Sequence, residues 1–285
     1  MTSEQLKTFL LIVETKSFSR TAEALFITQS SVSKRIHELE NEVGQILFKR
    51  DRTGVFLTNA GKLLRRYAEQ IMNLEEKVLE QIRQANQYAS HLMVGTVYAY
   101  YDMYLSKRIS LFSALFPYIA ITVRFGHTPQ LLNELMKASI DVAFTHRPID
   151  YSDYVCKNIG QDSIVLVTDS QNEKYQSEIA YQDVKNLPII DTNFLYAPTR
   201  VKLFPAPYQP QITVDVASYA ISLLKGSQFL ALCPFTLVEE RLKSGVLREV
   251  KIVGDSIPPV NHYMIYRKTL ANEIGIQEFI NNLSP

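Results

Sequence analysis

Thr28, Gln29, Ser30, Ser33, Lys34 and His37 fall on one side of a helical period, and none of them is large and apolar. Hydroxyls, a carboxamide and an ammonium group are short donors and acceptors of the kind that reach base edges and phosphate oxygens in a major groove. The other side of the same period carries Val32, Ile36, Leu39 and Val43 at spacings of four, three and four, one narrow apolar stripe. Thr28 is of the type that caps such a helix. Ahead of it, Ser19 is expected to cap a first helix, with Phe18 as a staple before the cap and Ala22 and Leu25 facing inward. Phe26 and Ile27 interrupt that period and mark a tight corner. Two short helices at a corner form a helix-turn-helix signal. The same pattern also arises wherever two amphipathic helices meet in an all-α protein.

The flanking elements extend the pattern. Ile46 to Phe48 and Val55 to Leu57 read as two short strands around a polar turn with Gly54, a small wing. Lys49, Arg50 and Arg52 on that loop suit phosphates or a narrow minor groove, or are simply a solvated charged turn. Thr58 is expected to cap a long helix. In it Leu64, Tyr67, Ile71, Leu74 and Val78 recur at three, four, three and four, a heptad seam that breaks at Gln81. Such a stripe has little to bury against except a second copy of itself, so homodimerisation is predicted. Two identical heads fit a roughly palindromic double-stranded DNA site with half-sites a DNA turn, or a multiple of one, apart.

Composition bounds the alternatives. The 285 residues are 46% apolar, enough for two or three packed units, with a formal net charge of +1. That charge is uneven: residues 1–66 carry eleven Lys and Arg against seven acids, a balance of +4, which leaves −3 for the remainder. Only the first portion is therefore expected to meet a polyanion. Cys156 and Cys233 are far apart, with neither CxxC nor metal-ligand spacing, and read as core residues. The apolar run Phe9 to Val13 is far short of a signal core or a membrane span, so a cytoplasmic location is expected. There is no Gly-rich phosphate loop, GxSxG or HExxH, and no nucleophile and base pair is evident, so neither catalysis nor a cofactor is expected.

From Leu92 onward strands and helices alternate: Leu92 to Val97, Ile119 to Phe125 and Ile140 to Thr145 as strands, with a helix striped by Ile109, Phe112 and Leu115 and another opening at Thr128 and Pro129. This spacing implies a parallel sheet covered by helices. A second set of strands is expected at Ser163 to Val167, Leu187 to Asp191, Ile212 to Val216 and Phe229 to Cys233, before His262 to Tyr266 and an amphipathic helix through Ile276, Phe279 and Ile280.

With these elements in place, the whole chain resembles a LysR-type transcriptional regulator. The resemblance is dense over about the first sixty-five residues: Phe9, Val13, Ser17, Phe18, Ala22, Ala24, Leu25, Gln29, Ser30, Ser33, Ile36, Leu39, Glu40, Gly44, Leu47, Phe48, Arg50, Leu57, Thr58, Ala60 and Gly61. It is looser further on, at Gly95, Phe116, Pro117, Leu131, Leu135, Ile140, Asp141, Gly226 and Pro234. It implies a winged helix-turn-helix over 1–60, a linker and dimerisation helix over 61–90, and a two-lobed α/β effector domain like periplasmic binding proteins over 91–285. Lobe I would comprise about 91–161 with 262–285, and lobe II about 162–261. It also implies a small-molecule effector between the lobes, and homodimers pairing into homotetramers that bend promoter DNA, with RNA polymerase as a candidate further contact and no membrane partner.

Family DNA contacts carry over to Gln29, Ser30, Ser33 and Lys34, beside the Thr28 cap. Many members have proline where Ser30 stands and arginine where Lys34 stands. Lysine lacks the bidentate fork suited to guanine, which leaves a phosphate as the alternative for Lys34. Thr128 matches a position whose hydroxyl and helix amides meet an anion, or it only caps its helix. A second family hydroxyl falls near Ala99, where Tyr98, Tyr100 and Tyr101 crowd instead. Either the tyrosines supply hydrogen bonds and a stacking face, or the effector is not the usual small acid. His146 and Arg147 add positive charge to that site or serve surface solvation.

Overall fold

The computed structural model describes residues 1–51, 54–84, 88–175, 177–192, 195 and 197–283. Arg52 lies outside the described residues, as does the side chain of Arg50. The chain forms two compact units, Met1–Tyr88 with Asn133–Ile140, and Ala89–Leu132 with Asp141–Pro285.

In the first unit α1 (Ser3–Thr15) opens with a reciprocal cap. The Gln5 amide donates to Thr2 Oγ1 at 3.3 Å and the Thr2 amide to Gln5 Oε1 at 2.8 Å. α2 (Phe18–Ala24) is capped by Ser17, whose hydroxyl accepts from the Arg20 amide at 3.3 Å. The expected cap at Ser19 is thus corrected by two residues, and Phe18 is the first helical residue, buried rather than stapled outside. The corner is made by Phe26 in the left-handed region at φ 54°, and α3 (Gln29–Val43) starts from the expected cap, with the Ser31 amide donating to Thr28 Oγ1 at 3.2 Å. Gly44 ends α3 at φ 71°, a conformation that favours glycine. Val32, Ile36 and Leu39 are buried as expected, whereas Val43 is 39% exposed at the helix end.

Leu6, Phe9 and Ile12 of α1 close the core against α3 and the wing, with Phe48 seated 5.1 Å from Phe9 and 5.9 Å from Phe18. The wing pairs β1 (Phe48–Asp51) with β2 (Gly54–Leu57) in antiparallel register. Glu40 Oε1 buttresses it by accepting from the Leu47 amide at 2.7 Å and the Phe48 amide at 3.3 Å. α4 (Asn59–Gln84) then starts at Thr58, whose hydroxyl accepts from the Gly61 amide at 3.0 Å and donates to the Ile46 carbonyl at 2.7 Å.

The second unit holds two main sheets. The first has the order β4 (Ile119–Phe125), β3 (Ser90–Thr96), β5 (Val142–Thr145), β13 (Val260–Arg267) and β6 (Tyr154–Asp162). β3, β4 and β5 are parallel, as the alternating pattern implied, and β13 runs antiparallel between β5 and β6. Helices α5 (Tyr98–Tyr100), α6 (Ser106–Leu115), α7 (Thr128–Met136) and α11 (Ile274–Leu283) belong with this sheet, and a π-helical turn, Tyr101–Leu105, joins α5 to α6. Phe112 of α6 is buried, but Leu115, expected to face inward, is exposed.

The second sheet orders β11 (Leu247–Glu249), β7 (Ile164–Asp169), β10 (Leu230–Pro234) and β9 (Ile189–Ile190), with α8 (Ala197–Leu203), α9 (Ala217–Ser222) and α10 (Phe235–Lys243) around it. β8 (Glu178–Ala180) and β12 (Lys251–Val253) form a small parallel pair. The strand expected over 212–216 is reduced to one bridge, Asp191 with Thr213. The chain passes from the first sheet to the second at Ser163, between β6 and β7, and returns through the segment before β13. Asp162 ties the two lobes at this crossing. It accepts from the Thr236 amide of α10 at 3.2 Å and from the Tyr104 hydroxyl at 3.3 Å.

Candidate nucleic-acid interface and interlobe cleft

Thr28, Gln29, Ser30 and Lys34 are exposed on α3 and Ser33 is half-exposed, opposite the buried stripe. The Thr28 hydroxyl lies 2.8 Å from those of Ser30 and Ser31, and the Ser19 hydroxyl of α2 donates to Gln29 Oε1 at 3.2 Å. Arg35 fixes the helix from its flank, reaching Glu4 of α1 at 3.0 Å. Lys34 is paired only loosely, 3.9 Å from Glu38 one turn on, so its ammonium is available to a polyanion. Lys49 is exposed on the wing.

Along α4 the exposed apolar row is Leu63, Tyr67, Ile71, Leu74, Val78 and Ile82. Leu64, expected to head that row, packs instead against the core of the first unit, and the row begins one residue earlier, at Leu63. Its spacing of four, four, three, four and four keeps one face uncovered in the single chain.

In the second unit a cavity of about 390 Å³ lies between the lobes. Tyr98, Ala99, His127, Thr128, His146 and Arg147 line it from the first lobe, and Thr192, Arg200 and Asp215 from the second. Tyr98 stacks on Phe125 at 5.3 Å and holds an aromatic face at the mouth where the family hydroxyl was expected. Thr128 is itself the first residue of α7, and its hydroxyl accepts from the His146 amide at 3.4 Å rather than capping. Arg200 pairs with Asp191 through both Nε and Nη2. Asp215 lines the cleft from the second lobe and has no hydrogen-bond or ion-pair partner among the described residues.

Two expectations are corrected here. Tyr100 does not line this cavity. It is 4% exposed, stacked on Phe144 at 5.2 Å and 5.1 Å from the ring of His262, and burial pushes its hydroxyl up to about 12. His146 adds no charge at neutral pH. Its Nδ1 is 3.2 Å from His262 Nδ1, its Nε2 is closed off from solvent, and burial, aided by the neighbouring imidazole, pushes it down to about 3. His262 is likewise lowered by burial to about 4. Sequence reasoning missed Thr192, Arg200 and Asp215, which converge only in the fold. Among the described residues no cluster of metal-ligating side chains occurs, and no helix is long and apolar enough to cross a membrane.

A winged helix-turn-helix and long helix in one unit, with a two-lobed α/β unit that has a cleft between its lobes, define a two-domain class of protein. The model of the bacterial regulatory helix-turn-helix proteins of the lysR family matches residues 3–62, and that of the LysR substrate binding domain matches residues 85–284. The chain belongs to the LysR family. The HTH-type transcriptional regulators HdfR of Yersinia pestis (strain Pestoides F) and of Yersinia pseudotuberculosis (serotype O:1b) are 31% identical over 192 residues, covering 64% of this chain and 65% of theirs. The chain thus aligns with just under two thirds of the length of these curated relatives.

The fold is shared with CbnR in complex with its target DNA, at a TM-score of 0.65 and 20% identity over 99% of each chain. Full-length LysG of Corynebacterium glutamicum with bound effector Arg gives a TM-score of 0.62 at 16% identity, over 100% of this chain and 97% of that one.

Proposed function

We propose that the protein is a sequence-specific DNA-binding transcriptional regulator of the LysR type, modulated by a small molecule held between the two lobes of its second unit. The observation that carries this reading is the α3 face of Gln29, Ser30, Ser33 and Lys34, exposed and polar against a buried stripe that holds the helix in place. Arg50 and Arg52 are further DNA contacts in the same reading. The exposed row on α4 supports a homodimer, with pairing of dimers into a tetramer as the next level. The working division is 1–60 for the reading head, 61–90 for the linker helix and 91–285 for the effector domain. The cleft binds and does not turn over its ligand, and RNA polymerase is the further contact through which occupancy reaches transcription.

Coupling is a population shift: a ligand that prefers one lobe arrangement alters subunit packing and hence the spacing of the paired α3 helices. The test is fluorescence anisotropy on the DNA upstream of the protein's own gene. Gln29→Ala combined with Lys34→Ala should weaken binding at least tenfold; unchanged affinity would remove α3 as the reading helix.

A further inference from the structure

A second cavity, of about 520 Å³, opens where the chain crosses between the two lobes. Ile164 begins β7 and Val260 begins β13, so each passage between the sheets contributes one residue to its wall. His146, Arg147 and Leu195 also border the cleft at Thr128; the other wall residues belong to this cavity alone.

Four of the chain's twelve prolines meet here, Pro148, Pro198, Pro258 and Pro259. A proline ring carries no N–H and holds its backbone at a fixed φ, so this wall is short of donors and stiff before anything enters it. Carbon makes up most of the cavity surface, and Thr199, Asn261 and Tyr263 give it a small polar share. Carbon-rich walls with few polar groups are the usual make-up of a small-molecule pocket. Among the described residues Arg147 is the one charged member of the wall, because His146 is uncharged at neutral pH. A bound cation would find no acid there, and a bound anion would trade its water shell for one guanidinium. An uncharged ligand loses neither.

We propose that this cavity is a small-molecule site in its own right, for an uncharged aromatic ring system that bears one hydroxyl group. The electron-rich faces of such rings attract the guanidinium of Arg147 and the polarised C–H bonds of the prolines. The hydroxyl is matched by Thr199, Asn261 and Tyr263, whose side chains can both donate and accept. An occupant bears on both passages between the lobes at once, whatever ligand the cleft at Thr128 holds.

The test is isothermal titration of the full-length protein with 2-naphthol and with its saturated counterpart, decahydro-2-naphthol. The wild type is compared with Thr199→Trp and Val260→Phe in the cavity, and with Val201→Trp in the cleft at Thr128, where Val201 is 66% exposed. Each variant is checked for an unchanged melting profile. The wild type should bind 2-naphthol saturably at one site per chain, roughly tenfold tighter than the saturated alcohol. Thr199→Trp or Val260→Phe should weaken that binding by roughly tenfold, whereas Val201→Trp should leave it unchanged. Absence of saturable 2-naphthol binding to the wild type would overturn the site. Equal affinity for the two alcohols would overturn the aromatic assignment. Loss of binding in Val201→Trp, or its retention in both cavity variants, would place the ring elsewhere and overturn the proposal as well.

Discussion

The carbonyl oxygen of Leu47 fills the space that a β-carbon on Gly61 would need, and Leu57 Cδ2 crowds the same position at 2.8 Å. The start of α4 and the wing are therefore in backbone contact, with the Thr58 hydroxyl bonded to both sides of the join. Gly61→Ala must push the wing from the helix. It should destabilise the first unit by about 1–3 kcal/mol, the usual cost of overpacking, read as a lower urea midpoint.

The α3 face separates two kinds of DNA contact. Lys34→Ala should weaken binding to all sequences alike and lower the slope of log affinity against log salt by about one, as loss of one phosphate contact does. Gln29→Ala should instead lessen discrimination at one base pair, by about 1–3 kcal/mol, with the salt slope unchanged. Competition binding against single-base operator variants distinguishes the two.

Tyr67, Ile71 and Leu74 stand on the exposed row of α4. Ile71→Asp places a charge in the centre of the seam and should convert the protein to monomers in sedimentation at micromolar concentration. Operator affinity should drop more than tenfold, because each half-site then binds alone. Glu76→Ala, exposed on the side of α4 away from that row, is the control that should leave assembly intact.

The His146 and His262 pair fixes an acid limit. Both imidazoles have folded values lowered from 6.5, to about 3 and about 4, by burial. The unfolded chain therefore takes up protons below about pH 6.5 that the folded chain refuses, so the stabilisation is whole above that pH and is lost as pH falls toward the folded values. Unfolding free energy should decline between pH 6 and 4, with each histidine contributing up to about 1.4 kcal/mol per pH unit. Urea titrations of His262→Gln should show this slope reduced by about one proton.

The reading head was legible in the sequence because its signals are local. Thr28 and Gly44 bracket α3, and a residue's period within one helix decides burial, so Val32, Ile36 and Leu39 could be assigned without the rest of the fold. Ser17 and Ser19 are both competent caps two residues apart, and only the burial of Phe18 against Phe48 decides between them. Leu64 turned inward because the first turns of α4 still belong to the head's core, a tertiary fact invisible to a heptad count.

The cleft was less legible. Tyr98 and Tyr100 stand two positions apart on the single turn of α5, on nearly opposite sides of it, so Tyr98 faces the cavity and Tyr100 the core. His146 loses its charge to burial and to a partner 116 residues away, Arg200 stands on α8, and Asp215 comes from a stretch whose apparent strand is a single bridge. No local pattern carries such information.

The position of β13 between β5 and β6 governs the order in which the molecule matures on the ribosome. The reading head needs nothing beyond α4 for its own core and can consolidate while translation continues. The first sheet, by contrast, stands with an unfilled slot until every strand of the second has been synthesised and the nascent chain comes back to it. The head is thus complete earlier in the life of each polypeptide than the first sheet, and a molecule truncated before Val260 would carry a finished head beside an open sheet.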